Sequence, residues 1–245
     1  MGAILLFLLY LCFGAAAGSF ITILTHRLPI EEDIFLKNSY CPECGNNLRV
    51  RSLIPMLSFI FQRGKCLECG KKISFRYFAL ELINTAVYAL LLLFLGFYVK
   101  TIYLSVFFSL LLSIVVVDLE TYEIPVVLQM LLYVFALLHV ILTPAEPLYV
   151  IIRAVVYFVI IEILKIITEK LAETEVIGGG DVKLITICGS MLNWEYMSIF
   201  LLFTGMFGII IGLIWRKKGN WKLFPLSPAI VLAFYPLLTH QYSRF

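Results

Sequence analysis

The chain has 245 residues, 62% of them hydrophobic and 14% charged, with a mean hydropathy of +0.99. A soluble domain carries roughly 45–50% apolar and about 25% charged residues, so a water-soluble globular protein is excluded and an all-α polytopic membrane protein is expected. The net charge is only +3, and its placement says more than its size.

The first apolar run covers about 3–25. No basic residue precedes it and no cleavage site with a soluble domain follows, so it reads as a spanning helix rather than a signal peptide. The one long hydrophilic stretch comes next, 26–77, and nine of the 19 Lys and Arg residues lie between Arg27 and Arg76. A nucleic-acid surface needs a basic stripe with stacking aromatics; a cytoplasmic loop obeying the positive-inside rule explains the segment more simply. No nucleic-acid partner is expected.

Further apolar runs cover about 78–98, 102–117, 124–142, 147–167, 182–194, 197–215 and 226–240. Turn signals separate them: Pro144 and Pro147, Gly178-Gly179-Gly180, Asn193, Gly219-Asn220, Pro225 and Pro228. At about 20 residues per span, this predicts about eight transmembrane helices with a cytoplasmic zinc-binding loop. The expected division is a first helix at 1–25, a four-cysteine loop at 26–77 and a membrane core at 78–245. Placing the loop inside puts every Lys and Arg except Lys100, Arg153 and Arg244 on the inner side, so the N-terminus is expected outside.

Within the loop, Cys41-Pro42-Glu43-Cys44-Gly45 and Cys66-Leu67-Glu68-Cys69-Gly70 are two copies of one knuckle, 21 residues apart. Four thiolates from two C-x-x-C turns form a closed tetrahedral set for structural zinc. A reducing compartment disfavours disulfides. With no open coordination position, the ion is expected to organise the loop rather than activate water. Cys12 and Cys188 lie in apolar runs and read as packed thiols.

Asp118 closes the third run and Asp181 opens the sixth, following the three glycines. Carboxylates at a membrane edge need a reason. Two spans lie between them, so both face the cytoplasmic side. Close together, they share a proton: one takes a proton from water while the other polarises a carbonyl. Gly178 and Gly180 suggest an active-site loop that admits an extended substrate, with Lys183 tuning the field or reaching to the interface. Glu120 and Glu123 read as solvated residues of a short inner loop. A proton-coupled transporter or a non-enzymatic scaffold with a zinc ribbon remain alternatives.

These motifs carry a resemblance. Gly18-Ser19-Phe20, His26-Arg27-Leu28-Pro29, the two knuckles, Ile73 to Tyr77 with Glu81, Asp118 with Pro125, and Gly180-Asp181-Val182-Lys183-Leu184 occur in the order found in bacterial type IV prepilin peptidases. The chain resembles that family of GxGD-type intramembrane aspartic proteases. The resemblance implies that Asp118 and Asp181 are catalytic and that the protein is a multi-pass inner-membrane enzyme. It implies removal of the basic leader of type IV prepilins or pseudopilins, on the cytoplasmic side, where Glu120, Glu123, Glu173 and Glu175 are candidates for an acidic entrance. It further implies methylation of the new N-terminus from S-adenosylmethionine, an activity associated with the cysteine loop. The chain departs from the family at Val50, Leu53, Phe78 and Val126, and a protease-only member is the other reading within it.

Overall fold

The computed structural model describes residues 2–34, 36–143, 147–172, 177–217 and 224–244, the side chains of 3 and 172 excepted. Among these residues the regular structure is helical, with two isolated bridges in the cysteine loop. The helices are α1 (Gly2–Arg27), α2 (Leu57–Phe61), α3 (Phe75–Leu95), α4 (Val99–Thr121), α5 (Val126–Leu142), α6 (Pro147–Ala172), α7 (Gly179–Met191), α8 (Met197–Lys217) and α9 (Ser227–Ser243). Eight of them coincide with the eight apolar runs, and α2 lies inside the loop.

By length and composition, four segments can cross a membrane: Ile4–Ile30, Phe75–Leu95, Val99–Thr121 and Trp194–Lys217. The expectation of about eight spans is met for these four. Helix α5 is apolar but has 17 residues, and α9 has 17 with Pro236 inside it. Arg153, Glu162, Lys165, Glu169 and Lys170 interrupt the apolar run of α6. At about 1.5 Å per residue, the 13 residues of α7 fall short of a hydrocarbon core of about 30 Å.

The chain packs as two compact units, Met1–Ser113 and Ile114–Phe245, with the division inside α4. In the first unit α1 and α3 run antiparallel. A Cβ on Gly14 would fall 2.9 Å from the Tyr88 ring, and one on Gly18 would fall 2.8 Å from the Glu81 backbone. Small residues let the helices approach this closely. Buried polar groups then tie in α4: Asn84 donates to the Gly14 carbonyl at 2.8 Å, Ser109 donates to Asn84 at 2.9 Å, and Tyr88 and Ser109 lie 3.0 Å apart.

In the second unit α7 is the central element, packed on α5, α6 and α9, with most of its side chains buried. A Cβ at Gly189 would come within 2.6 Å of the buried Tyr157 ring of α6, so α6 and α7 touch there because position 189 lacks a side chain. Polar groups satisfy the end of α7: Arg153 donates to the Ser190 carbonyl at 3.0 Å and Gln241 to the Met191 carbonyl at 3.1 Å. Those terminal carbonyls have no partner within their own helix. Cys188 is buried here as expected, whereas Cys12 lies on the exposed face of α1.

Candidate active site and metal centre

Asp118 and Asp181 belong to the same unit. Asp118 occupies the last turn of α4 and is 4% exposed. The helix stops there because Tyr122, at φ +59, turns its amide back to the Asp118 carbonyl at 2.9 Å. Left-handed backbone is a common way to close a helix, and a side chain larger than glycine's makes it costly. The Trp215 indole holds the Tyr122 hydroxyl at 3.2 Å. Pro125 then keeps Ile124 out of helical geometry and caps α5 with extended backbone. The Asp118 carboxylate accepts a hydrogen bond from the Ser227 amide, the first residue of α9, at 3.0 Å.

Asp181 sits in the first turn of α7, where an acid matches the positive end of the helix dipole. The Gly178 carbonyl accepts from the Asp181 and Val182 amides at 3.0 and 3.2 Å and starts the helix. This corrects the expectation of an active-site loop. Gly178 is the N-cap, while Gly180 and Lys183 already lie on α7. The backbone at Gly178 has φ −65, so left-handed freedom is not what the position requires. Space is: a Cβ there would stand 3.3 Å from an Asp181 oxygen, and one on Gly180 would touch Ile124 at 3.5 Å.

Gly180 therefore rests against the 122–125 turn that follows Asp118. That contact brings the start of α7, which carries Asp181, against the turn that follows Asp118. Gln129, which the sequence did not single out, links the same two segments. Its amide donates to the Ile124 carbonyl at 2.7 Å and accepts from Lys183 at 3.1 Å. Lys183 is thus directed at Gln129. Glu120 and Glu123 are exposed, and Glu173 and Glu175 lie outside the described residues.

The cysteine loop belongs to the first unit. Cys41, Cys44, Cys66 and Cys69 present four sulfurs, all within 4.8 Å of one another. A tetrahedral ion with bonds of about 2.3 Å sets its sulfurs about 3.8 Å apart, so the cluster fits a single zinc. The knuckles repeat in detail. Gly45 and Gly70 take φ +71 and +70 and return their amides to the Cys41 and Cys66 carbonyls at 2.8 and 3.0 Å. Cys41 and Cys66 in turn donate their amides to the Asn46 and Lys71 carbonyls, each at 2.9 Å.

The amides of Cys69 and Glu68 draw the Cys66 thiol down to about 7. At Cys44 the Asn46 amide pulls the same way, but burial and the neighbouring thiols outweigh it and leave that group at about 11. The glutamates inside the knuckles pair crosswise, Glu43 with Lys71 at 2.5 Å and Glu68 with Arg49 at 2.9 Å. Exposed pairs of this kind contribute little to stability. Arg27, also unassigned from sequence, is buried. Its guanidinium donates to the carbonyls of Asp33, Ile34, Lys37 and Asn38, fixing the chain's entry into the loop.

Two family profiles match the chain in succession. The profile of the bacterial peptidase A24 N-terminal domain matches residues 12–95, and that of the type IV leader peptidase family matches 105–213. A prepilin leader peptidase/N-methyltransferase of Bacillus subtilis (strain 168) is 30% identical over 222 residues, 89% of this chain and 88% of the relative. The protein of the same name from Vibrio cholerae serotype O1 is 29% identical over 230 residues, covering 89% and 90%. A third, from Myxococcus xanthus, is 30% identical over 220 residues, covering 86% and 62%. No solved structure matches the chain.

Proposed function

The chain belongs to the prepilin leader peptidase/N-methyltransferase family, and from that premise we propose that it is an intramembrane aspartic endopeptidase working through Asp118 and Asp181. It removes the basic leader of type IV prepilins or pseudopilins at the cytoplasmic face of the bacterial inner membrane. The observation that supports the reading is the placement of both acids in one unit, with Gly180, next to Asp181, packed on Ile124 of the turn that follows Asp118.

Two carboxyls held close together share one proton. The ionised member takes a proton from water as the water oxygen attacks the scissile carbonyl carbon. The protonated member donates toward the carbonyl oxygen, and the amine leaves with a proton returned from the pair. The Ser227 amide fixes one oxygen of Asp118, so its carboxyl plane is set before substrate arrives. Gly178 and Gly180 leave room beside Asp181 and against Ile124, and Lys183 with Gln129 holds the α7 end in register.

The proposed topology has an outside N-terminus, with the cysteine loop and both acids inside. The distribution of basic residues supports it. Zinc held by Cys41, Cys44, Cys66 and Cys69 is structural in this reading. S-adenosylmethionine supplies a methyl group to the new N-terminal amine. A protease-only enzyme is the second reading, favoured by the departures at Val50, Leu53 and Phe78.

The test is mass spectrometry of a prepilin incubated with the purified protein and S-adenosylmethionine. The proposal expects loss of the leader and one added methyl group. Loss of the leader without the methyl group selects the second reading, and an intact prepilin contradicts both.

A further inference from the structure

The first unit encloses a cavity of about 400 Å³ between α1, the first knuckle, α2 and the start of α3. Small-molecule sites run from about 300 to 1,000 Å³ and combine apolar walls with a few placed polar groups. This one has that make-up. Phe59 and Phe78, stacked on each other at 5.2 Å and 27°, both line it. Glu81 lines it as well, 8% exposed, with one carboxylate oxygen accepting the Met56 amide at 2.6 Å. Met56 sits at φ +59, where a side chain is unfavourable. The turn is therefore held in a strained form against the acid, a pattern common at ligand sites. His26 and Lys72 add basic groups to the lining.

The cavity lies wholly within the residues matched by the N-terminal domain profile, 12–95, and the two aspartates lie outside it. The curated relatives carry two activities in their names, and the chain has two compact units. We infer that this cavity binds the methyl donor, a nucleoside sulfonium, with its base against Phe59 and Phe78 and its positive charge facing Glu81. The assignment rests on the methylating reading given above.

In the transfer, the lone pair of the substrate's free amine forms the new N–C bond as the S–C bond breaks onto sulfur. The sulfonium becomes a neutral thioether, and the amine sheds its proton to water. Glu81 binds and orients. Its charge is matched by the cation of the donor and not by the neutral thioether product.

The test is calorimetry on the full chain in lipid nanodiscs, with S-adenosylmethionine and S-adenosylhomocysteine as separate titrants. Wild type, Glu81→Gln and Ser58→Trp are compared, the last placing an indole in the cavity from α2. Wild type is expected to bind both titrants. Glu81→Gln is expected to lose about tenfold in affinity for the sulfonium and much less for the thioether, because a charge-assisted contact is removed from only one of them. Ser58→Trp is expected to lose both, and both variants are expected to keep leader removal, which shows that they are folded. Wild type that cleaves prepilin but binds no donor overturns the inference and leaves the peptidase reading standing. Wild-type affinity in both variants overturns it as well, and equal weakening of both titrants in Glu81→Gln overturns the role given to that charge.

Discussion

Asp118 and Asp181 stand out in the sequence because an acid in an apolar run is expensive, and the triple glycine draws attention to the second of them. The groups that position them do not stand out. Ser227 reaches Asp118 from 109 residues away, and Gln129 reaches Lys183 from 54. Neither has a local pattern, since both act through contacts that exist only once α5, α7 and α9 are packed. Gln129 gives a test at this scale. Gln129→Leu removes the link between Lys183 and the Ile124 carbonyl, and a hydrogen bond contributes about 1 kcal/mol. Leader cleavage by the variant is expected to slow by roughly fivefold, with the thermal midpoint in detergent little changed. A wild-type rate shows that the link plays no part in holding the site.

Among the elements, the cysteine knuckles were the most legible, because their chemistry is local: two C-x-x-C turns, each followed by a glycine with φ near +70. The purified protein is expected to carry about one zinc per chain by metal analysis, and Cys41→Ser with Cys66→Ser is expected to abolish it. Helix α7 was the least legible. The glycines before Asp181 read as a loop, yet the Gly178 carbonyl collects two amides and the helix begins at once. Its last third depends on Gly189, which lies against Tyr157. Gly189→Ala places a methyl group 2.6 Å from a ring that is 1% exposed and has little room to move. Overpacking of this kind costs about 1–3 kcal/mol, so the thermal midpoint of the variant is expected to fall. An unchanged midpoint would show that α6 and α7 separate easily.

At the scale of the whole molecule, the positions of all eight long helices could be read from apolar runs and turn residues. Their membrane-crossing character could not be read so fully. Hydropathy averages a helix over all its faces and does not tell burial against protein from exposure to lipid. Helix α7 is apolar because three helices surround it, and it is too short to span alone. The division into two units was also hidden, because it falls inside the continuous helix α4 and leaves no turn signal. The proposed topology predicts that cysteine-reactive probes which cannot cross the membrane label single cysteines placed at Gly2 and Thr143 from outside, and at Glu123 only after permeabilisation. Labelling of Glu123 and Thr143 from the same side contradicts the span count on which the shared side of the two acids depends.

In the proposed mechanism Asp118 and Asp181 act as one catalytic pair. Co-expression of a prepilin substrate with wild type, Asp118→Asn and Asp181→Asn tests this, with leader removal measured by gel shift and mass spectrometry. Members of a unit that acts together are not additive. Either substitution alone is therefore expected to lower processing by about a thousandfold or more, and the double variant by no more than either single one. Full processing by one of the single variants, present in the membrane at the wild-type level, contradicts the pair.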